Sequence, residues 1–91
     1  MIIHEIEDLN SSRKFLSSTN DKIVLTNPQG STRYYGMRVI DYIFSTLKEE
    51  FPEQVSNVVV NAYDDYSAFV TAHKLGYKQI KYLNRTELKC A

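Results

Sequence analysis

The order of its secondary-structure patterns predicts an α/β fold, with a mixed sheet flanked by helices in an α/β/α sandwich. Two stretches have strand character, "KIVLTNP" (22–28) and "VSNVVVNAY" (55–63), and a long amphipathic helical pattern separates them. A second helical pattern and a short strand, "KQIKYL" (78–83), follow. This β-α-β-α-β order is typical of parallel strands joined by right-handed helical crossovers.

Each element carries its own start or stop signal. The first nine residues fit a strand or a helical stripe equally well, and a short helix capped by Asp8 or Asn10 follows them. The spacing of apolar residues predicts one helix from Arg33 to Phe51, which Pro52 ends. The last helix is predicted to begin at Asp64 or Asp65 and to stop at Gly76.

Length and composition predict one domain over residues 1–91. Hydrophobic residues make up 43% of the chain and charged residues 24%, which is ordinary for a globular protein. Eleven basic and eleven acidic residues cancel, so the net charge indicates no polyanionic partner. The cations that gather after Thr71 are expected to form a solvated edge, and we expect no nucleic-acid partner.

The remaining composition signals concern compartment and metal binding. Cys90 is the only cysteine, so the sequence predicts no internal disulfide and no metal site, and a reducing compartment fits. No apolar run approaches the ~20 residues that span a bilayer, and "MIIHEIED" lacks the pattern of a signal peptide. These observations predict a cytoplasmic protein with no membrane partner.

An anion site is predicted where "STRYYGMRV" (31–39) opens the long helical pattern. Backbone amides at a helix start have no partners within the helix, and the helix dipole favours negative charge there. Gly36 lets a ligand approach the backbone closely, and Arg33 and Arg38 could bond to the same oxygens. The loops after the two long strands lie where ligands bind in parallel sheets.

The spacing of these residues resembles that of the Gcn5-related N-acetyltransferase family. "RYYGMR" (33–38) matches the first part of the R/Q-x-x-G-x-G/A pattern with which that family binds the pyrophosphate of acyl-CoA. "DYSAFVTAHKLGY" (65–77) is similar to the family's N-x-x-A-x-x-x-Y-x-K-L-G-F helix. The resemblance covers residues 22–83, about two thirds of the chain, and implies a reduced acetyltransferase-like fold.

The resemblance implies acetyl-CoA or CoA as the cofactor and an amine, on a small molecule or a protein, as the acceptor. It places a pantetheine arm along the end of the first long strand, a pyrophosphate on the loop amides, and Asp65 at the mouth of the cleft. The cofactor-binding residues so implied are Leu25, Thr26, Asn27, Arg33, Tyr34, Tyr35, Gly36, Met37, Arg38 and Asp65.

Three departures from the family pattern leave catalysis open. The loop before Arg33 is about two residues longer than the family's, Arg38 replaces a small residue, and Ala72 replaces the tyrosine that serves many members as general acid. No catalytic residue is assigned. The candidates for a base are His4, Glu5 and Glu7, and those for an acid are Tyr66, His73 and Tyr77.

Two alternatives to an acyl-CoA-binding protein or N-acetyltransferase stay open at this point. One is an interaction module that kept the fold without catalysis. The other is an unrelated α/β domain that binds a phosphorylated ligand or a protein. A β-bulge at Thr26–Asn27, with splayed central strands, would favour an acetyltransferase-like fold over the unrelated domain. We also expect a homo-oligomer, because "KQIKYL" and the N-terminal segment look like open sheet edges.

Overall fold

A computed structural model describes residues 2–82 and 85–87 of the chain, with side-chain detail for residues 2–82. Strands and helices alternate along this part of the chain. The elements are β1 (Ile2–Glu5), α1 (Leu9–Ser17), β2 (Ile23–Thr26), α2 (Ser31–Tyr35), α3 (Met37–Glu50), β3 (Val55–Tyr63), α4 (Tyr66–Lys74), β4 (Ile80–Tyr82) and β5 (Arg85–Glu87).

The strands form one mixed sheet in the order β1-β2-β3-β4-β5. The first four strands are parallel, and β5 pairs with β4 in the antiparallel sense. Ile3 is paired with Val24, and Thr26 is paired with Val59, across the first three strands. The predicted α/β class, with helices packed against a mixed sheet, is therefore confirmed, but the three longer helices form one layer instead of the two layers of the predicted α/β/α sandwich.

The three longer helices lie side by side on one face of the sheet. Helix α3 contacts both α1 and α4, and α3 and α4 contact β3. Right-handed crossovers between neighbouring parallel strands place successive helices on the same face. The core lies between these layers, and its largest fully buried side chains include Phe44, Leu47, Leu25 and Val60. The loops that follow the parallel strands lie at the carboxyl edge of the sheet.

Local capping explains where the flanking helices begin and end. The Asp8 carboxylate accepts a hydrogen bond from the amide of Ser11 at 2.7 Å, and Asp65 accepts one from the amide of Ala68 at 3.2 Å. Each bond satisfies an amide that the helix itself leaves free. Gly76, with φ of 96°, follows the C-cap of α4 as predicted. The ambiguous first residues form a strand, because β2 offers them a partner.

The predicted single helix from Arg33 to Phe51 is wrong, because the chain forms two helices that meet at Gly36. Gly36 has φ of 83° and ψ of 148°, which no helical residue adopts. Periodicity passes over this break because the apolar stripe continues through it. The glycine therefore joins α2 to α3 and acts as the N-cap of α3.

The described pairing of β2 with β3 shows no β-bulge at Thr26–Asn27, the feature that would favour an acetyltransferase-like fold over an unrelated α/β domain. The register between β2 and β3 shifts between Ile23 and Val24, at the other end of the strand. At the carboxyl end, Asn27 accepts a bond from the amide of Asn61 at 2.7 Å and donates to its carbonyl at 2.9 Å. This side chain fastens the ends of the two central strands together.

The expectation that "KQIKYL" forms an open edge is wrong as well. Strand β4 lies between β3 and β5, and Ile80 is fully buried. The ring of Tyr82 packs on Phe69, with ring centroids 5.0 Å apart. Strand β5 was not predicted, because three residues give too short a pattern. Cys90 and the last cation, Lys89, lie outside the described residues.

Candidate functional site

A small apolar cleft opens beyond the carboxyl ends of β1 and β2, where the parallel-sheet rule places ligands. Its volume is about 240 Å³. The residues that follow the two strands form one wall, and α2 with the first turns of α3 forms the other. The lining residues are Ile6, Glu7, Pro28, Gln29, Ser31, Tyr34, Tyr35, Ile40 and Ile43.

The start of α3 lies beside this cleft. The first intrahelical bond runs from the amide of Ile40 to the carbonyl of Gly36, at 3.2 Å. Helix geometry leaves the amides of residues 37–39 without a partner in the helix, and no side chain in the described part of the chain caps the Gly36 end. Arg38 is exposed in this same turn. The combination favours an anion at this end of α3.

The helix break changes which backbone groups face a ligand. The amide of Gly36 donates to the carbonyl of Thr32 at 2.9 Å, and the amide of Arg33 donates to the carbonyl of Gly30 at 3.1 Å. Both amides therefore already have a hydrogen-bond partner in or next to α2 and are not free for a ligand. Of the predicted run from Tyr34 to Arg38, the amides of Met37 and Arg38 lie in the first turn of α3.

The side chain of Arg33 points to the loop after β3. Its Nη2 atom lies 3.1 Å from Oδ1 of Asp64 and donates to the Asp64 carbonyl at the same distance. Both side chains are more than half exposed, so this pair stabilises the fold little. Arg38 is thus the predicted cation that stays at the start of α3.

Asp65 joins the two loops of the carboxyl edge. One oxygen accepts from the amide of Ala68, and the other accepts from the hydroxyl of Thr32 at 2.9 Å. Tyr63, two residues earlier, has φ of 42°, an uncommon backbone conformation for a tyrosine. Thr32 is buried, so Asp65 holds α2 against the start of α4.

The predicted pantetheine-facing residues are split between core and edge. Leu25 is fully buried in the hydrophobic core, and Thr26 is half-buried on the opposite face of the sheet. Asn27 is also fully buried, and its amide group donates to the hydroxyl of Ser31 at 2.8 Å. None of these three side chains lines the cleft, which begins at the next residue, Pro28.

Among the three candidate bases, Glu7 is the one that lines the cleft. His4 shares a hydrogen bond with the buried Ser12, 3.2 Å away, and stacks on Phe15 with ring centroids 4.3 Å apart. Partial burial lowers the pKa of this imidazole, and the charges of Glu7 and Glu5 oppose that effect. Glu5 lies on the opposite face of the sheet.

The candidate acids Tyr66, His73 and Tyr77 are not among the described residues that line the cleft. The Tyr77 hydroxyl donates to Asp41 at 2.6 Å, and burial together with this bond raises the pKa of the phenol. A tyrosine in this state is a poor proton donor near neutral pH. Tyr66 packs on Tyr82, and His73 is exposed on α4.

Sequence reasoning missed much of the lining of the cleft. Ile6 is 2% exposed although it follows the end of β1, and Ile40 and Ile43 belong to the apolar face of α3, a pattern that indicates core and not a ligand site. The signal for Ile6 was weak, because the first residues fitted a helix as well as a strand. Asp41 was also missed, since it reads as an outward-facing residue of α3.

No cluster of three or more acidic, histidine or cysteine side chains that could hold a metal ion is found in residues 2–82 and 85–87. None of the helices in this part of the chain is long and apolar enough to cross a membrane.

The fold and the cleft together define an α/β protein with a candidate ligand site at the carboxyl edge of a mostly parallel sheet. The chain is 48% identical over 81 residues to "Uncharacterized protein RP547" of Rickettsia prowazekii (strain Madrid E). The match covers 89% of this chain and 76% of the rickettsial protein, so the chain belongs to the same family. No family model and no solved structure matches the chain.

Proposed function

We propose that this protein binds an acyl-CoA, a ligand with an apolar arm and phosphate groups. The observation that carries the proposal is the position of the apolar cleft directly beside the start of α3. An apolar arm suits the cleft, and a diphosphate suits free helix amides. The resemblance of "RYYGMR" to the pyrophosphate motif supports the same ligand.

The size of the cleft sets how much of the ligand it holds. At about 240 Å³ it is smaller than the ~300–1,000 Å³ typical of sites that enclose a whole ligand. We therefore assign the acyl end and part of the pantetheine arm to the cleft. The nucleotide end lies at the surface, where Arg38 is exposed and where the ring of Tyr34, 88% exposed, offers a face for a purine.

Calorimetric titration and thermal shift with acetyl-CoA, CoA and adenosine 3′,5′-bisphosphate test the proposal. At a ligand concentration 100 times Kd, binding stabilises the fold by about 2.7 kcal/mol. Arg38→Ala is expected to weaken acetyl-CoA binding about tenfold, because a charge-assisted bond is lost. Lys48→Ala, an exposed cation at the other end of α3, is the matched control. If millimolar acetyl-CoA and CoA give neither heat nor a thermal shift, the proposal is wrong.

Glu7 favours N-acetyl transfer as a second candidate function, because it places a carboxylate in the same cleft. A base there would take the proton of an ammonium substrate, and the free amine would then attack the thioester carbonyl. The departing thiolate of CoA would need a proton, yet Ala72 has none to give and Tyr77 is held by Asp41. We therefore propose slow transfer, if a suitable amine is bound, driven by proximity.

Release of free CoA across a panel of amines and lysine peptides tests this second function. Glu7→Gln is expected to lower the rate about 10²–10⁴-fold while acetyl-CoA binding persists. Glu49→Gln, an exposed carboxylate on α3, should leave the rate unchanged. Transfer that is fast and indifferent to Glu7→Gln would exclude this carboxylate as the base.

A further inference from the structure

Aliphatic side chains cross the sheet on the face opposite to the helices. Ile3, Val24 and Val59 lie there on β1, β2 and β3, and they line a depression of about 200 Å³. The strand register pairs Ile3 with Val24. It pairs Val59 with Thr26, which lies two residues after Val24 on the same face of β2. The Ile3 side chain is 68% exposed and Val59 is half-buried, whereas Val24 between them is 9% exposed, so solvent reaches the apolar surface mainly at Ile3 and Val59 in the described part of the chain.

Opposite charges stand at the two sides of this row. Glu5 lies on β1 and Lys81 lies on β4, with two strands between them, and both are exposed. Within residues 2–82, neither side chain takes part in an ion pair. An acidic and a basic margin therefore flank an aliphatic centre.

Asn61 adds a polar group that lacks a partner. Its side chain lies on β3 in the same depression, and its Oδ1 atom is buried without a hydrogen bond from the described residues. Buried acceptors are nearly always bonded in folded proteins.

We propose that this open sheet face, centred on Ile3, Val24 and Val59, binds a second copy of the chain. A two-fold axis parallel to the strands, between β2 and β3, lays β1 of one copy over β4 of the other. Glu5 then meets Lys81 of the partner subunit, and the reciprocal pair forms by symmetry. An axis across the strands would set Glu5 against its own copy, so the charges select the first arrangement.

The geometry is that of two sheets packed face to face. Such sheets lie about 10 Å apart with their strands within about 30° of each other, and their aliphatic side chains interdigitate. Four strands at about 4.8 Å spacing make a face only about 19 Å wide, so the buried area falls at the low end for stable complexes. We therefore expect a low affinity between the two copies, so the fraction of dimer rises with protein concentration.

Sedimentation velocity from low to high micromolar concentration tests the proposal, together with two charge reversals. Glu5→Lys and Lys81→Glu are each expected to weaken dimerisation about tenfold, because each reversal turns two attractive contacts into repulsive ones. The double variant Glu5→Lys with Lys81→Glu restores both pairs with exchanged sign, and its dimerisation should return to that of the natural chain. Lys48→Glu, a reversal on the helix side, is the control and should have no effect.

The outcomes separate this interface from others. A chain that stays monomeric at high micromolar concentration overturns the proposal. So does a dimer that is indifferent to both single reversals, which would lie elsewhere, for example along the exposed edge of β1. Circular dichroism is the check that each variant is folded. Val59→Asp, at the centre of the face, should abolish the dimer even when Glu5 and Lys81 are unchanged. Acetyl-CoA binding is independent of these results, because the cleft lies at another edge of the molecule.

Discussion

Asn27 joins the two central strands through a side chain that is fully buried. Its amide and carbonyl groups bond to both backbone groups of Asn61, and the amide also reaches the hydroxyl of Ser31. Ser31 in turn donates to the carbonyl of Pro28 at 2.7 Å. These bonds fix the loop that carries the cleft, so a residue implied to bind cofactor holds the walls of the site in place.

Asn27→Ala should lower the free energy of unfolding by about 2–4 kcal/mol, because it leaves two partly buried backbone groups of Asn61 without these partners. In a domain of this size that loss corresponds to a fall in Tm of roughly 10–30 °C. Urea denaturation measures it directly. Asn20→Ala removes an exposed asparagine and should change stability by less than about 0.5 kcal/mol. Equal effects of the two variants would contradict the assigned role of Asn27.

His4 gives the fold a dependence on pH. Burial lowers its pKa below the ordinary value of 6.5, so below that pH the unfolded chain binds a proton more readily than the folded one. Stability is therefore fully present above pH 6.5 and declines as the pH falls through the folded-state pKa. The neighbouring groups are Ser12, Phe15, Glu5 and Glu7, and the two carboxylates reduce the effect.

Urea titrations between pH 5 and pH 8 should show this decline in the natural chain and a flatter profile in His4→Gln. His73→Gln, which changes an exposed histidine on α4, should retain the decline. A natural chain whose stability is constant from pH 8 to pH 5 would contradict the burial of His4 as the cause.

At the scale of elements, the division of one helical pattern into α2 and α3 shapes the site. Helix α2 is only five residues long and carries two exposed tyrosines, Tyr34 at 88% and Tyr35 at 56% exposure. The turn at Gly36 lets α2 close the side of the cleft while α3 runs across the sheet. A continuous helix would carry these tyrosines away from Pro28 and Ile6.

Gly36→Ala should destabilise the protein by about 1–3 kcal/mol, although a methyl group would meet nothing within 4 Å. The cost comes from the backbone, because φ of 83° with ψ of 148° is open almost only to glycine. Urea denaturation and far-ultraviolet circular dichroism provide the measurement. Gly30→Asn is the comparison, since the left-handed conformation at Gly30 is one that asparagine tolerates.

The sign of the change at Gly36 separates two structures. If α2 and α3 were one helix, Gly36→Ala would raise both helicity and stability, because alanine is the better helix former by about 1 kcal/mol. Such a result would contradict the break. The Gly36→Ala variant does not test ligand binding separately, because a loss of binding could come from the strained backbone of the site itself.

At the scale of the whole molecule, stability is expected to be uneven. Strands β2 and β3 lie in the middle of the sheet and make the largest set of contacts between elements, under the core residues Phe44 and Leu47. Helix α2 is short and its side chains are largely exposed beyond Thr32. Regions with few buried contacts open at a lower free energy than the core.

Hydrogen exchange should follow this division. Amides of β2 and of Val58–Ala62 in β3 should exchange slowest, near the rate set by global unfolding, and amides of α2 should exchange fastest among the helices. Mass spectrometry of exchanged peptides resolves these segments. Saturating acetyl-CoA should slow exchange in α2 if the cleft binds it, and protection of α2 equal to that of β2 in the free protein would contradict the assignment.

The sequence by itself determined the class of fold and most of the elements. Its strand and helix periods, the capping signals at Asp8 or Asn10 and at Asp64 or Asp65, and the stop at Gly76 are local signals, and each acts through neighbouring atoms along the chain. The position of the candidate site at the carboxyl edge of the sheet followed from the order of these elements.

Only the tertiary structure decided how those elements meet. The fold of α2 against the loop after β3, the burial of Asn27 and the inclusion of Ile6 in the cleft depend on residues that are distant in sequence. The pairing of β5 with β4 and the exposure of Ile3 on the free face depend on which surfaces come together. Local patterns do not encode these contacts, because each is set by the packing of a whole layer against another.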